Sequence, residues 1–391
     1  MSRTENMRKK QNCFKWVRNM KSSLGILILC TILIFNNKII QANIDTIPER
    51  ECCSDIYVNV TSHGAIPGDG VSDTEQIRLA LDVARANRKP VYFPAGQYDI
   101  EAAGNNAIFN VTNLSLVGES TGYTGTSILK VSENSVTTSS VLYAGNGRVQ
   151  IRGVGVECNS RAMVGIHMYK TTGQGTWIEK AGVSGATHTG WLIEQAQGAI
   201  ISNVSGSCNA GAGFLIYGSN ALSIHRLHAI RNGGAAVVIL GSSPKNIYIP
   251  DGLLLKSQSP NWPRTSGAVS ITDTVIEHNG GHTVVVNGIL NGITSIRAIT
   301  TEGNGDGVLI DRAFFTRISE SRVTAPTADG VPIKIIDSHG CSIIDNILRL
   351  DPIANPRTDV LVRVEGNSNG CRIIGNSYNT HFYAPAIVEY Q

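Results

Sequence analysis

The sequence predicts an all-β solenoid: a parallel β-helix covered at its N-terminal end by one helix. Three observations carry this expectation. Short apolar strands recur from Val164 onward, with a period of about 23 to 25 residues. The composition is that of many short strands joined by tight turns: 41 glycines, abundant Ile, Val, Ser, Thr and Asn, and no long helical pattern after Arg88. One amphipathic segment precedes the repeats, where a stack of parallel strands needs a cover for its apolar end and unpaired backbone.

The first 42 residues read as a secretory signal. Arg8, Lys9, Lys10, Lys15, Arg18 and Lys21 form a basic leader, Leu24 to Phe35 is apolar apart from Gly25 and Thr31, and Ala42 suits a cleavage position. The run is shorter than the roughly 20 apolar residues of a membrane span. Ile39 and Ile40 extend it past Asn36-Asn37-Lys38, so an uncleaved anchor is the alternative. Residues 43–57 then form a linker and residues 58–391 the β-helix domain. The leader holds eight of the 33 Lys/Arg and one of the 30 Asp/Glu, which leaves 25 basic and 29 acidic residues, a net of −4. The overall +3 is a property of the leader. An exported domain with no basic cluster argues against a nucleic-acid partner.

From Val58 to Ile100 the elements are ordered. His63-Gly64-Ala65 leads into Gly68-Asp69-Gly70, a helix follows, and then Val91-Tyr92-Phe93-Pro94-Ala95-Gly96-Gln97-Tyr98. Ser72-Asp73-Thr74-Glu75 has the spacing of a capping box. Ile77, Ala80, Leu81 and Ala84 give the helix one apolar face, and Asn87 to Pro90 ends it. This stretch closely resembles the N-terminal signature of the pectate-lyase-like superfamily, in its rhamnogalacturonase/epimerase branch. Pectate lyases, polygalacturonases, rhamnogalacturonases, epimerases and phage tailspikes share it. The resemblance implies a single-stranded right-handed parallel β-helix acting on a polysaccharide. It speaks for the scaffold more than for a reaction, because these proteins share a fold and differ in their sites.

The repeats follow. Strands begin at Trp191, Phe214, Val237, Val284, Val308 and Ile333, and a second series holds Ile200-Ile201, Leu222-Ser223-Ile224, Ile293 to Ile296, Cys341 to Ile344 and Cys371 to Ile374. Two strands plus turns per period make one coil. Ile249 to Ser266, with three prolines and Trp262, reads as a loop inserted into one coil. Cys341 and Cys371 occupy matching phrases. They are expected as stacked free thiols, since side chains in one column point parallel and suit a disulfide poorly. No Cys/His spacing suggests zinc.

Cleavage of a polysaccharide has two usual solutions. Hydrolases use two carboxylates about 5 to 10 Å apart. Lyases and epimerases of uronates take a proton next to a carboxylate, with a base and a positive charge or metal. Three turns line up before strands: Arg231 to Gly234, Glu277 to His282, and Glu302 to Gly307. Stacking them places Arg231, His278 and Glu302 near one column and His282 beside Asp306. A second column at the strand ends holds Glu194, Tyr217, Asn287 and Asp311.

The candidate catalytic set is therefore His278, His282, Asp306 and Asp311. Arg231, Arg297, Tyr217 and Trp262 are candidates for substrate binding, with Trp262 as a sugar-stacking ring. Solvated turns rich in Asn, Asp and Gly are also ordinary β-helix surface. The expected partner is a polysaccharide, acidic or extracellular. The expected location is secreted or periplasmic, with no stable membrane partner once the signal is cleaved. The chemistry is β-elimination or glycoside hydrolysis, and a non-catalytic glycan-binding or adhesin β-helix is the alternative. No cofactor is specified: calcium fits the class, yet the sequence offers no clear metal site.

Overall fold

In a computed structural model of the chain, the residues described are 56–102, 104–121, 124–172, 175–241, 267–289, 292–325, 331–350, 360–379 and 386–390. Ile56–Gln391 is one compact unit. The predicted leader, most of the linker and the predicted insertion with Trp262 lie outside the described residues. Among the described residues no helix is long and apolar enough to cross a membrane.

The helix spans Thr74–Asn87 and buries Ile77, Ala80, Leu81 and Ala84 in the main core. It ends at Arg88, which takes a left-handed conformation (φ 54°) and returns its N–H to Ala84 and Arg85 carbonyls. The expected capping box does not form. Asp73 is the N-cap and makes no side-chain cap bond, while Ser72 Oγ pairs with Thr74 Oγ1 at 3.0 Å. The Asp73 carboxylate accepts instead from Ile66 N–H at 2.8 Å. The turn before the helix thus competes for the side chain, and burial pushes the Asp73 carboxyl above its ordinary range.

The repeats stack as a right-handed parallel β-helix with an 11-stranded sheet and a 19-stranded sheet. In the shorter sheet Trp191, Phe214, Val237, Val284, Val308 and Ile333 are successive register partners, as the period predicts. In the longer one Ile224, Ile271, Ile296, Ile318, Ile343 and Ile373 form such a column.

Each coil has three strand segments, not two. From the third coil onward the longer sheet bends at one left-handed residue, for example Lys180 (φ 52°) between Trp177–Glu179 and Gly182–Ser184. A corner made by one ordinary residue leaves no Gly or Pro mark in the sequence, so the two segments read as one.

Inward side chains alternate with outward ones. Trp191 and Phe214 stack in the core with centroids 5.7 Å apart, and Trp191 Nε1 donates to Ser205 O at 2.8 Å. A buried ladder of Asn209, Asn232, Asn279 and Asn304 satisfies one corner, each Nδ2 or N–H donating to the next Oδ1. Cys341 and Cys371 are free and one rung apart, as their neighbours Ser342 and Arg372 are register partners.

Candidate functional site

The outer face of the shorter sheet carries two adjacent columns. The first runs Tyr143, His167, Leu192, Leu215, Val238, Val285, Leu309. The second runs Gly145, Tyr169, Glu194, Tyr217, Leu240, Asn287, Asp311. The apolar members form a cluster of their own, separate from the interior core. Polar groups gather at the two ends of this face.

At the N-terminal end His167 Nε2 lies 3.1 Å from Glu194 Oε2. Both groups are buried: the imidazole keeps 7% of its exposure and the carboxylate none. Tyr143 meets the imidazole edge-on at 5.3 Å between centroids, and Tyr169 does so at 6.4 Å. Gly145 makes room for this: a Cβ there would collide with the Tyr143 phenolic oxygen. The phenol therefore lies over the column that holds Tyr169 and Glu194. Lys170 follows at a left-handed corner (φ 50°), its Nζ 5.2 Å from the Tyr169 ring centre. A buried imidazole–carboxylate pair among phenols and an ammonium is equipped for proton transfer.

The expected column of Glu194, Tyr217, Asn287 and Asp311 is present. Tyr217 is buried on it, and Asp311 accepts from Asn287 Nδ2 and from Arg312, whose Nε and a terminal nitrogen lie 3.1 and 3.0 Å away. His282 and Asp306 are register partners as expected, with Nδ1 3.4 Å from Oδ2. The two groups are adjacent without a hydrogen bond between them: His282 Nδ1 has no bonding partner, and Asp306 Oδ1 accepts from Gly307 N–H.

The expected four-residue set is not one cluster. Asp311 stands five residues along its strand from Asp306, about 17 Å. His278 sits at an exposed left-handed corner (φ 56°) over Gly303, in one corner column with Arg231. Glu302 pairs in register with Glu277, not with His278. The turns themselves are in register, so Gly303 is the residue that matches His278, and Glu302 belongs to the neighbouring position. Arg297 lies on the longer sheet, exposed, with Nε 2.9 Å and a terminal nitrogen 2.7 Å from Glu320 Oε2. Its charge is answered there.

His167 escaped the sequence reading. Its signal was the spacing: Ile166 to Trp191 is one period, and the register then sets His167 beside Leu192 and Tyr169 beside Glu194. Among the described residues no group of three or more His, Cys, Asp and Glu could hold a metal ion.

Residues 57–250 match the family model described as rhamnogalacturonase A/epimerase, pectate lyase-like. That half of the chain holds Tyr143, His167, Tyr169 and Glu194. Among solved structures, the A-module of the mannuronan C-5 epimerase AlgE4 of Azotobacter vinelandii is similar at TM-score 0.62 and 17% identity, over 82% of this chain and 88% of that one. The endo-xylogalacturonan hydrolase of Aspergillus tubingensis is similar at TM-score 0.55 and 11% identity, over 85% and 95%. The pre-mature gene product 12 of bacteriophage phi29 is similar at TM-score 0.61 and 12% identity, over 88% and 47%. At these identities the likeness is one of fold. No curated protein matches the chain in sequence.

Proposed function

This chain belongs to the pectate-lyase-like superfamily, and from that premise we propose an exported enzyme that takes a proton from the carbon next to a uronate carboxylate in an acidic polysaccharide. The observation that carries this reading is the His167–Glu194 pair at 3.1 Å, set among Tyr143, Tyr169 and Lys170. Such a step needs a base, a charge for the developing anion and a proton donor. His167 is the base, paired with Glu194. Lys170 supplies the charge and a phenol the proton. In elimination the C5–H electron pair forms the C4=C5 bond, the C4–O glycosidic bond breaks, and the leaving oxygen takes the phenol proton. In epimerisation His167 keeps the proton it takes, and a phenol gives a different proton to C5 from the opposite face.

Hydrolysis by two carboxylates is less well supported. Glu194 and Asp311 lie four rungs apart in their column, about 19 Å, against the 5 to 10 Å such enzymes use. The His282–Asp306 pair, more exposed than His167, is the competing position for the acid/base group. A panel of polyuronates tests the reading, followed by ultraviolet absorbance of unsaturated uronates, deuterium uptake from D2O and reducing ends. Unsaturated ends or deuterium at C5 support it. Reducing ends alone indicate hydrolysis, and binding without reaction indicates a glycan-binding scaffold. His282→Ala and Asp306→Asn are expected to keep turnover within about tenfold. A larger loss there, with His167→Gln active, would move the site. Export is checked by the mass of the mature N-terminus.

A further inference from the structure

At the C-terminal end of the helix lies a cavity of about 540 Å³. Arg85, Arg88, Lys89 and Arg148 line it together with Asn113 and Gln150, and no acidic residue does, so the fold assembles a basic cluster that the sequence does not show as a run. Arg85 is engaged by Asp82 Oδ1 at 2.6 Å and by Asn110 O at 2.9 Å. Arg88, Lys89 and Arg148 make no side-chain ion pair among the described residues.

The ordinary account of cations at a helix C-terminus is the helix dipole. Here the carbonyls of Ala84 and Arg85 already accept the N–H groups of Lys89 and Arg88. The dipole also leaves Arg148 unexplained. That residue comes from a turn two rungs away, since Val91, Leu116 and Ile151 are successive register partners. Cations from separate elements that converge without a counter-charge repel one another, and an anion relieves this. Two rungs of about 4.8 Å separate the turn of Arg148 from that of the helix-end cations, a spread that suits a linear polyanion better than one compact ion.

We propose that this cavity is a second carbohydrate site, which holds carboxylates of an acidic glycan chain around the Asn146 corner from the His167 face. It rests on the proposed function only for the identity of the ligand. The test is binding of oligogalacturonate and oligomannuronate to the full chain and to its Arg88→Ala/Arg148→Ala variant, with inorganic phosphate and neutral dextran as controls. The variant is expected to bind the oligouronates about tenfold more weakly or worse, with a flatter salt dependence. Both side chains are exposed, so melting should not change; Lys89→Gln is the milder second variant. Binding unaltered in both variants overturns the site. So does phosphate or dextran binding as tight as that of the oligouronates. If the chain turns over no polyuronate yet its binding depends on Arg88 and Arg148, the enzyme reading fails and this site stands.

Discussion

Replacing Glu194 by Gln changes charge with little change of shape, and its effect can be worked from the structure. When His167 takes the substrate proton, a unit positive charge forms 3.1 Å from a carboxylate oxygen. Coulomb attraction there is about 5 kcal/mol at an effective dielectric constant near 20, a gross figure before desolvation is counted. Gln keeps a neutral bond to the imidazole. Bonds to charged groups contribute about 1.5–3 kcal/mol net and neutral ones about 0.5–1.5, so the loss specific to the protonated state is about 1–2 kcal/mol. That is about a 5- to 30-fold fall in kcat. His167→Gln keeps an N–H for Glu194 and removes the acid/base group, and should cost about 10²- to 10⁴-fold. The assay is the initial rate of double-bond formation or of C5 deuterium uptake on the best polyuronate, with melting temperatures alongside. Wild-type rates in folded variants of both kinds would rule out the His167–Glu194 pair as the acid/base group. A larger loss in Glu194→Gln than in His167→Gln would make Glu194 itself the base.

Further outcomes are expected. Gly145→Ala forces the Tyr143 phenol off its column and should lower kcat by about tenfold or more if that phenol is the proton donor; an unchanged kcat would leave Tyr169 as donor. Asn232→Ala orphans the Asn209 N–H and Nδ2 groups that it accepts at 3.1 and 2.9 Å. At about 1–3 kcal/mol per buried unsatisfied group, urea unfolding should show a loss of about 2–6 kcal/mol, and a loss below about 1 kcal/mol would contradict the ladder. Asp73 has a raised carboxyl pKa, through burial first and then through Asp69 and Asp99. Its protonated form therefore contributes stability below about pH 3.8 that is lost as pH rises through the raised value. Asp73→Asn should accordingly gain in melting temperature, relative to the wild type, between about pH 3.5 and pH 7; a flat difference would contradict this. Trp262→Ala should raise KM with kcat unchanged if the ring holds sugar equally in ground and transition states.

The fold was legible because a solenoid repeats its pattern. Six strand starts, from Trp191 to Ile333, fixed the register of the shorter sheet. The third strand segment was hidden because corners such as Lys180 and Glu320 are single left-handed residues with ordinary side chains. The strand-end column through Glu194 and Asp311 followed from the same register. The turn column did not, because Glu302 and His278 differ by one position and one position turns a side chain elsewhere. His167 was missed because its strand, Ala162–Tyr169, precedes the clearest repeats. Its carboxylate partner is 27 residues away, on the next rung.

The most direct measurement is nuclear magnetic resonance of a polyuronate incubated with the full chain in D2O, in parallel with the His167→Gln protein. Deuterium at C5 or a C4=C5 double bond is expected with the wild type, and neither with His167→Gln at equal fold stability. Glycosidic cleavage that leaves C5 protonated and saturated, or C5 chemistry that persists in the variant, would contradict this.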